Sequence, residues 1–415
     1  MATLEARAYG GAFAEATRVS AEVLELDTEY VLPTYARQPL EVVAGEGAEL
    51  IGRDGTRYLD FVMGLSVSNF GHCHPRVVAA IREQTGRLIH CSNLYYTEPQ
   101  ARLAARLSAL AGGGKIFFTN SGAEANEVAL KIARKWGRAF GGGAMVTLED
   151  SFHGRTIATL SATGQPKKQA PFSPLLSGFV HIPFEDTSVL EEVFRRGRVA
   201  AFLAEPVLGE SGVRLVPPDF LLRAQELCRQ QDALFILDEV QTGLGRCGAA
   251  FAFQRYGLEP DIIAVAKTLA GGLPMGAAIV RGRAADVLVA GDHGSTFAGG
   301  PVPAVAGLAI MDLLEEPGLF ARVEESGSRL EGWLQRLADA GAAMDVRRLG
   351  LMAAIDLPDP SAKVVVTAAL DAGILLNATS ERTLRFLPPL IVTNEQIDRV
   401  GRFLVEHFLS EGETA

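Results

Sequence analysis

Five short apolar runs punctuate the middle of this chain: Lys115 to Thr119, Ala144 to Leu148, Ala200 to Ala204, Ala233 to Leu237 and Ile262 to Ala266, with helical stretches between them. Runs of this length suit buried strands, and strands separated by helices are joined by crossovers rather than hairpins. The alternation therefore predicts an α/β fold with a mostly parallel sheet covered by helices. Between the first two runs, Glu124 to Arg138 sets Ala125, Val128, Ala129, Ile132, Ala133 and Trp136 on one face of an amphipathic helix. Upstream, Val42 to Asp60 reads as a small antiparallel unit around the turn Arg53-Asp54-Gly55-Thr56. After Pro301 and Pro303 comes a helix-rich region, then β-like pieces around Arg347 to Ile355 and Arg385 to Leu387, which predict a second, smaller α+β domain. The expected division is a segment 1–70 contributing to the small domain, a large domain 71–300 and a C-terminal small domain 301–415.

A length of 415 residues suits two or three domains that share an interface and can enclose a buried site. The net charge of −10 and the lack of a basic block argue against nucleic acid and acidic membrane surfaces as partners. No apolar run approaches the roughly 18 to 20 residues of a membrane span. The first 20 residues lack the apolar core of a secretory signal and read as a surface segment. Cys73, Cys91, Cys228 and Cys247 form no CxxC, so neither a disulfide framework nor a zinc cage is indicated, and a reducing, cytoplasmic setting is expected. Gly71-His72-Cys73-His74-Pro75 lacks a third and fourth ligand, so no metal is expected, and Pro75 suits the first position of a helix. The glycine triplets at 112–114 and 141–143 read as loops.

Three features could carry chemistry. Asn120-Ser121-Gly122-Ala123 lies where an apolar run turns into a helix, so it is either an ordinary N-cap or an anion cradle. Leu234 to Leu237 leads into Asp238 and Glu239, carboxylates where ligands of open α/β sheets lie, although an acid pair can equally cap a helix. Lys267 follows another apolar run. It is either a snorkelling surface lysine or a desolvated amine able to form a Schiff base with an aldehyde.

Together these describe an anion cradle, a carboxylate and an amine on strand ends of one sheet. The sequence resembles the fold-type I pyridoxal-phosphate enzymes, specifically the class III (ornithine-type) aminotransferases, from about Tyr35 to Leu390. The likeness is carried by Asn120-Ser121-Gly122-Ala123-Glu124-Ala125-Asn126, Phe152-His153-Gly154-Arg155, Leu237-Asp238-Glu239-Val240-Gln241-Thr242-Gly243, Ala266-Lys267 and His293-Gly294-Ser295-Thr296-Phe297. The resemblance implies pyridoxal 5'-phosphate as cofactor. Lys267 would be the amine that condenses with its aldehyde, and Asp238 the partner of its pyridine nitrogen. Gln241 would lie near the phenolic oxygen, with Phe152 stacked on the ring. Ser121, Gly122 and Ala123 would bind the phosphate, with Thr296 contributed by the neighbouring subunit of a homodimer. Arg155 would bind the substrate's remote carboxylate, and Arg385 the proximal carboxylate of glutamate. Glu210 would neutralise Arg385 when the donor lacks that carboxylate, and Tyr35 would lie near the substrate's distal end.

The implied reaction moves the ω-amino group of N2-acetylornithine to 2-oxoglutarate, as in arginine biosynthesis. Ornithine, 4-aminobutyrate, succinylornithine, carrier-linked lysine, and a glutamate-semialdehyde-type aminomutase remain as alternatives. Three positions depart from the family pattern. Leu65 replaces a tyrosine of ornithine-specific enzymes and favours an acylated amine, because a charged ammonium there would lack a partner. Pro301 replaces an asparagine and puts the loop past Thr296 in question, and Leu208 replaces a glutamine beside Glu210. Glu205 is expected to buttress Gln241 or Asp238, or to serve as a buried cap.

Overall fold

The computed structural model describes residues 18–409. Most of the N-terminal stretch expected as a surface segment, residues 1–17, lies outside the described residues; Ser20 caps a helix Ala21–Tyr30. The centre is a seven-stranded sheet in the order Lys115–Thr119, Gly276–Val280, Ile262–Val265, Leu234–Asp238, Val199–Ala204, Ala144–Leu148, Phe179–Ile182. All pairings from Ile262–Val265 to Phe179–Ile182 are parallel, and Gly276–Val280 runs antiparallel to both of its neighbours. All five apolar runs are strands, displaced by no more than a residue at their ends. Phe179–Ile182 and Gly276–Val280 are additional to the sequence expectation.

Val199–Ala204 and Leu234–Asp238 are buried along their whole length. Helices on both faces account for that, which is why these strands are apolar at every position rather than at alternate ones. The helix expected over Glu124 to Arg138 spans Gly122–Arg138 and buries Ala125, Val128, Ala129, Ile132 and Ala133. Gly276 permits a close approach where its strand begins, since a Cβ there would stand 2.5 Å from the Ser121 carbonyl oxygen.

Two smaller sheets flank this body. Val42–Glu46, Glu49–Gly52 and Arg57–Asp60 form the expected antiparallel unit. Its edge is completed by Ile374–Leu375, parallel to Arg57–Asp60. The other sheet is antiparallel, in the order Asp345–Leu349, Met352–Asp356, Thr383–Phe386, Asn377–Ala378. Pro75 opens the helix Pro75–Thr85, and Pro301 opens Pro301–Leu314, so the proline after the two glycines begins a helix at once.

Arg246 joins these parts. It is fully buried, and its guanidinium donates to Ser66 Oγ (2.9 Å), the Leu351 carbonyl (2.9 Å), the Pro388 carbonyl (2.6 Å) and Asn69 Oδ1. Removing the guanidinium strands several buried acceptors, each costing about 1–3 kcal/mol. Arg246→Leu is expected to lower unfolding stability by about 3 kcal/mol or more, read as a reduced urea midpoint with unchanged slope.

Candidate active site

Parallel strands direct their carboxyl ends to one rim of the sheet, and the residues that follow those ends share a crevice. Ser121 follows Lys115–Thr119, Phe152 follows Ala144–Leu148, Glu205 follows Val199–Ala204, Asp238 ends its strand, and Lys267 follows Ile262–Val265. They line one cavity of about 470 Å³ together with Gly122, Ala123, Arg155, Glu210 and Gln241.

At one wall, the Gly122–Arg138 helix begins with its N-terminus facing the space. Ser121 Oγ accepts the Glu124 amide at 3.1 Å, and Glu124 Oε2 reaches back to the Asn120 amide at 2.7 Å, a reciprocal cap. The amides of Gly122 and Ala123, which have no intrahelical acceptor, stay on the cavity wall with the positive end of the helix dipole. The Ser121 side chain is thus both a cap and part of an anion cradle.

Opposite lies Asp238, 4% exposed. Its Oδ2 accepts from Asn126 Nδ2 (2.7 Å) and is 2.8 Å from His153 Nδ1, while Oδ1 accepts the Val240 amide at 3.1 Å. Asn126 and His153 lie in the quoted motifs, but no role was read for them in the sequence. The detectable signal is a polar residue on the apolar face of the Gly122–Arg138 helix, which needs a partner when buried.

Lys267 sits half-buried at the cavity wall on the first residue of a tight turn, with a φ of 47°. A long side chain in left-handed backbone is uncommon and is sustained only by surrounding structure. Burial depresses its ammonium pKa to about 8, with Glu210 opposing the shift and Arg385 adding to it. The surface-lysine alternative does not hold.

Glu205 does not contact Gln241 or Asp238 by hydrogen bond. Its Oε1 accepts the Phe152 amide (2.8 Å) and its Oε2 the Gly209 amide (3.3 Å), so it ties the aromatic loop to the loop bearing Glu210. Burial pushes its carboxyl up to about 7. Above the same loop, the Phe152 ring is flanked by two cations, the Arg155 guanidinium 5.6 Å and the Lys168 ammonium 4.9 Å from its centroid. Lys168 was not singled out in the sequence. Burial lowers its pKa as well.

Glu210 Oε1 lies 2.8 Å from Arg385 Nη1; the arginine side chain is 1% exposed and the glutamate 29%. Burial disfavours the Glu210 carboxylate, but the Arg385 guanidinium outweighs it and holds the carboxyl below its ordinary range. Leu208 is buried in the two-stranded turn Val207–Leu208 and Arg214–Leu215 that carries the Glu210 loop. Leu65 is exposed with a φ of 60° near cavity residue Val67. Three expected site residues are not on the wall of this cavity: Arg385 lies behind Glu210, and two others stand apart. Thr296 is exposed and lines a separate crevice with His90 and Tyr95, and Tyr35 is 76% exposed.

A flat phosphorylated pyridine fits these residues. The helix amides suit its phosphate and Asp238 its ring nitrogen. The Gln241 carboxamide oxygen, buried without a hydrogen-bond partner, leaves that amide open to a polar group in the cavity. Fold and site together define a pyridoxal-phosphate-dependent transferase. The sequence pattern described as aminotransferase class-III matches residues 31–407, and the chain belongs to that family of transaminases. It is 44% identical to the acetylornithine aminotransferase of Methanocaldococcus jannaschii, over 93% of this chain and 97% of that one. Among solved structures, an acetylornithine aminotransferase from Elizabethkingia anophelis superposes with a TM-score of 0.85 at 33% identity, over 94% and 98% of the two chains. The ornithine aminotransferase of Toxoplasma gondii, solved with partial occupancy of pyridoxal phosphate at its active site, gives a TM-score of 0.90 at 32% identity, over 100% and 99%.

The raised Glu205 carboxyl has a pH consequence. Its folded-state pKa of about 7 exceeds the ordinary 4.5, so the folded chain binds the extra proton between them. Stability from this group is complete below pH 4.5 and is lost as pH rises through about 7. Glu205→Gln is expected to abolish that dependence. The urea midpoint of wild type minus that of the variant should fall from pH 4.5 to pH 7.

Proposed function

We propose that this chain transfers the ω-amino group of N2-acetylornithine to 2-oxoglutarate, yielding N-acetylglutamate 5-semialdehyde and glutamate in arginine biosynthesis. The observation that carries this reading is the Glu210–Arg385 pair at the cavity edge. Glutamate presents a carboxylate beside its reacting carbon, and an ω-amine donor presents none, so one pocket must offer a cation to the first and hide it from the second. A fixed, buried arginine under a more exposed glutamate does both. Identity to acetylornithine enzymes and the apolar Leu65, which offers a free ammonium no partner, support the acylated donor.

When bound, pyridoxal phosphate supplies an aldehyde that takes up the amino group and a ring that accepts electrons as the substrate carbon loses its proton. The protein's part is holding and proton transfer. Lys267 Nζ, whose proton burial makes easier to lose, would anchor the aldehyde and later take the proton from one carbon and return it to the next. Asp238, fixed in place by Asn126, His153 and the Val240 amide, would hold a proton at the ring nitrogen. Gln241 would address the phenolic oxygen and Phe152 would pack on the ring. The Ser121 hydroxyl and the amides of Gly122 and Ala123 take the phosphate. Arg155 binds the remote carboxylate that both substrates share, using its bidentate fork.

We also assign a homodimer to the working enzyme. Leu88, Ile89, Leu94, Tyr95, Tyr96 and Phe297 are exposed on the segments around Thr296, and the Phe297 ring, tilted and centred 5.3 Å from that of His90, joins those segments. An apolar surface of this kind calls for a partner. A second copy would cover it and carry Thr296 toward a neighbouring cavity.

Borohydride reduction of the yellow enzyme followed by peptide mapping is expected to fix the cofactor on the peptide containing Lys267, and Lys267→Ala to abolish turnover; a label on another lysine overturns the assignment. Half-reactions followed by loss of the cofactor's visible absorption should be fastest with N2-acetylornithine and slow with ornithine and 4-aminobutyrate. Glu210→Ala is expected to change the ratio of glutamate to acetylornithine rates by about tenfold or more, the equivalent of one ionic contact. An unchanged ratio makes the pair a static salt bridge.

A further inference from the structure

The partners of Arg385 are unequal in kind. Nε (3.1 Å) and Nη2 (2.8 Å) both donate to Asn377 Oδ1, while Nη1 donates to the Gly209 carbonyl (2.8 Å) and to Glu210 Oε1 (2.8 Å). Among the described residues, Glu210 is the one carboxylate within salt-bridge distance. The anchor is built into the sheet, for Asn377 stands directly opposite Arg385 in the antiparallel pairing of Asn377–Ala378 with Thr383–Phe386. A side chain across a strand pair is held at short range by the backbone register, whereas Glu210 rides on a loop.

We propose that Asn377 is a specificity-determining positioning residue. It fixes one edge of the Arg385 guanidinium through a neutral oxygen, so that Arg385 stays in place and fully charged when Glu210 leaves. This rests on the reading that Arg385 receives the proximal carboxylate of glutamate and 2-oxoglutarate.

The argument is one of charge. A carboxylate at position 377 would make the same two hydrogen bonds and hold the guanidinium equally well. It would also neutralise that guanidinium permanently, leaving the incoming substrate carboxylate to compete with a fixed anion. A neutral amide orients without competing, and it leaves the Nη1 edge, where Glu210 now sits, for the substrate. Lacking any acceptor at 377, the guanidinium would have two buried donors unpaired and would be free to follow Glu210.

The test uses the holoenzyme and two unreactive acids: glutarate, which presents both carboxylates, and pentanoate, which presents one. Asn377→Asp is expected to raise the Kd for glutarate at least about tenfold while pentanoate changes less than about threefold. In half-reactions, the ratio of KM for glutamate to KM for the ω-amine donor should rise by a similar factor with kcat nearly preserved, a split that general loosening of the fold does not produce. Arg385→Leu separates this inference from the reading beneath it. If Arg385→Leu leaves glutarate binding unchanged, Arg385 is not the carboxylate receptor and both fall. If Arg385→Leu weakens glutarate binding and Asn377→Asp does not, the role of Asn377 alone is overturned. Should Asn377→Asp fail to fold, Asn377→Ala is expected to weaken glutarate binding severalfold with pentanoate unaffected, and undiminished glutarate binding would overturn the proposal.

Discussion

A carboxylate held at the end of a fully buried strand organises this molecule. A carboxyl group buried there needs hydrogen-bond partners, and Asp238 has three: the Val240 amide on its own turn, Asn126 from the helix packed on the sheet, and His153 from the neighbouring loop. Each donor belongs to a different segment, so satisfying one charge aligns a strand end, a helix and a loop around the same crevice. The helix that supplies Asn126 is also the one whose first amides form the anion cradle. Its position relative to Asp238 therefore sets the distance over which the cofactor must reach.

A second tier of polar contacts couples that crevice to the rest of the chain. Glu205 accepts amides from the loop bearing Phe152 and the loop bearing Glu210. Arg347 extends the connection outward, donating to the Gly212 carbonyl and pairing through both Nη atoms with Asp356, which also accepts from Thr383 on the strand that carries Arg385. The loop bearing Glu210 and the strand bearing Arg385 are thus braced against one another, through Arg347 and through the Arg385 bond to the Gly209 carbonyl. What remains to move is the Glu210 side chain, the more exposed member of the pair.

Much of this was legible in the sequence, for a physical reason. Strands covered on both faces must be apolar throughout, so five of the seven central strands stand out as runs. Phe179–Ile182 did not, because an edge strand bearing His181 and only partly buried lacks that signature. Gly276–Val280 opens with small residues that fit against the Ser121 turn, and close packing of glycine and alanine leaves little hydrophobic trace. The lysine, the acid and the capped helix start could be read because each follows an apolar run. Arg246 and Asn377 could not, since a buried arginine reads as a surface residue and a cross-strand pair exists only once register is known. Thr296, expected from a neighbouring subunit, and Tyr35, expected near the substrate's distal end, both fall outside the cavity lining of a single chain.

The sheet formed by Val42–Glu46, Glu49–Gly52 and Arg57–Asp60 takes its fourth strand from Ile374–Leu375, near the other end of the chain. During synthesis, the Arg57–Asp60 edge therefore waits with unpaired amides and carbonyls until almost the whole polypeptide has left the ribosome. Such an edge is a template for mispairing with other nascent chains. Translation speed and chaperone supply bear on the yield of this protein through that late closure, and a fragment ending before Ile374 would carry the exposed edge indefinitely.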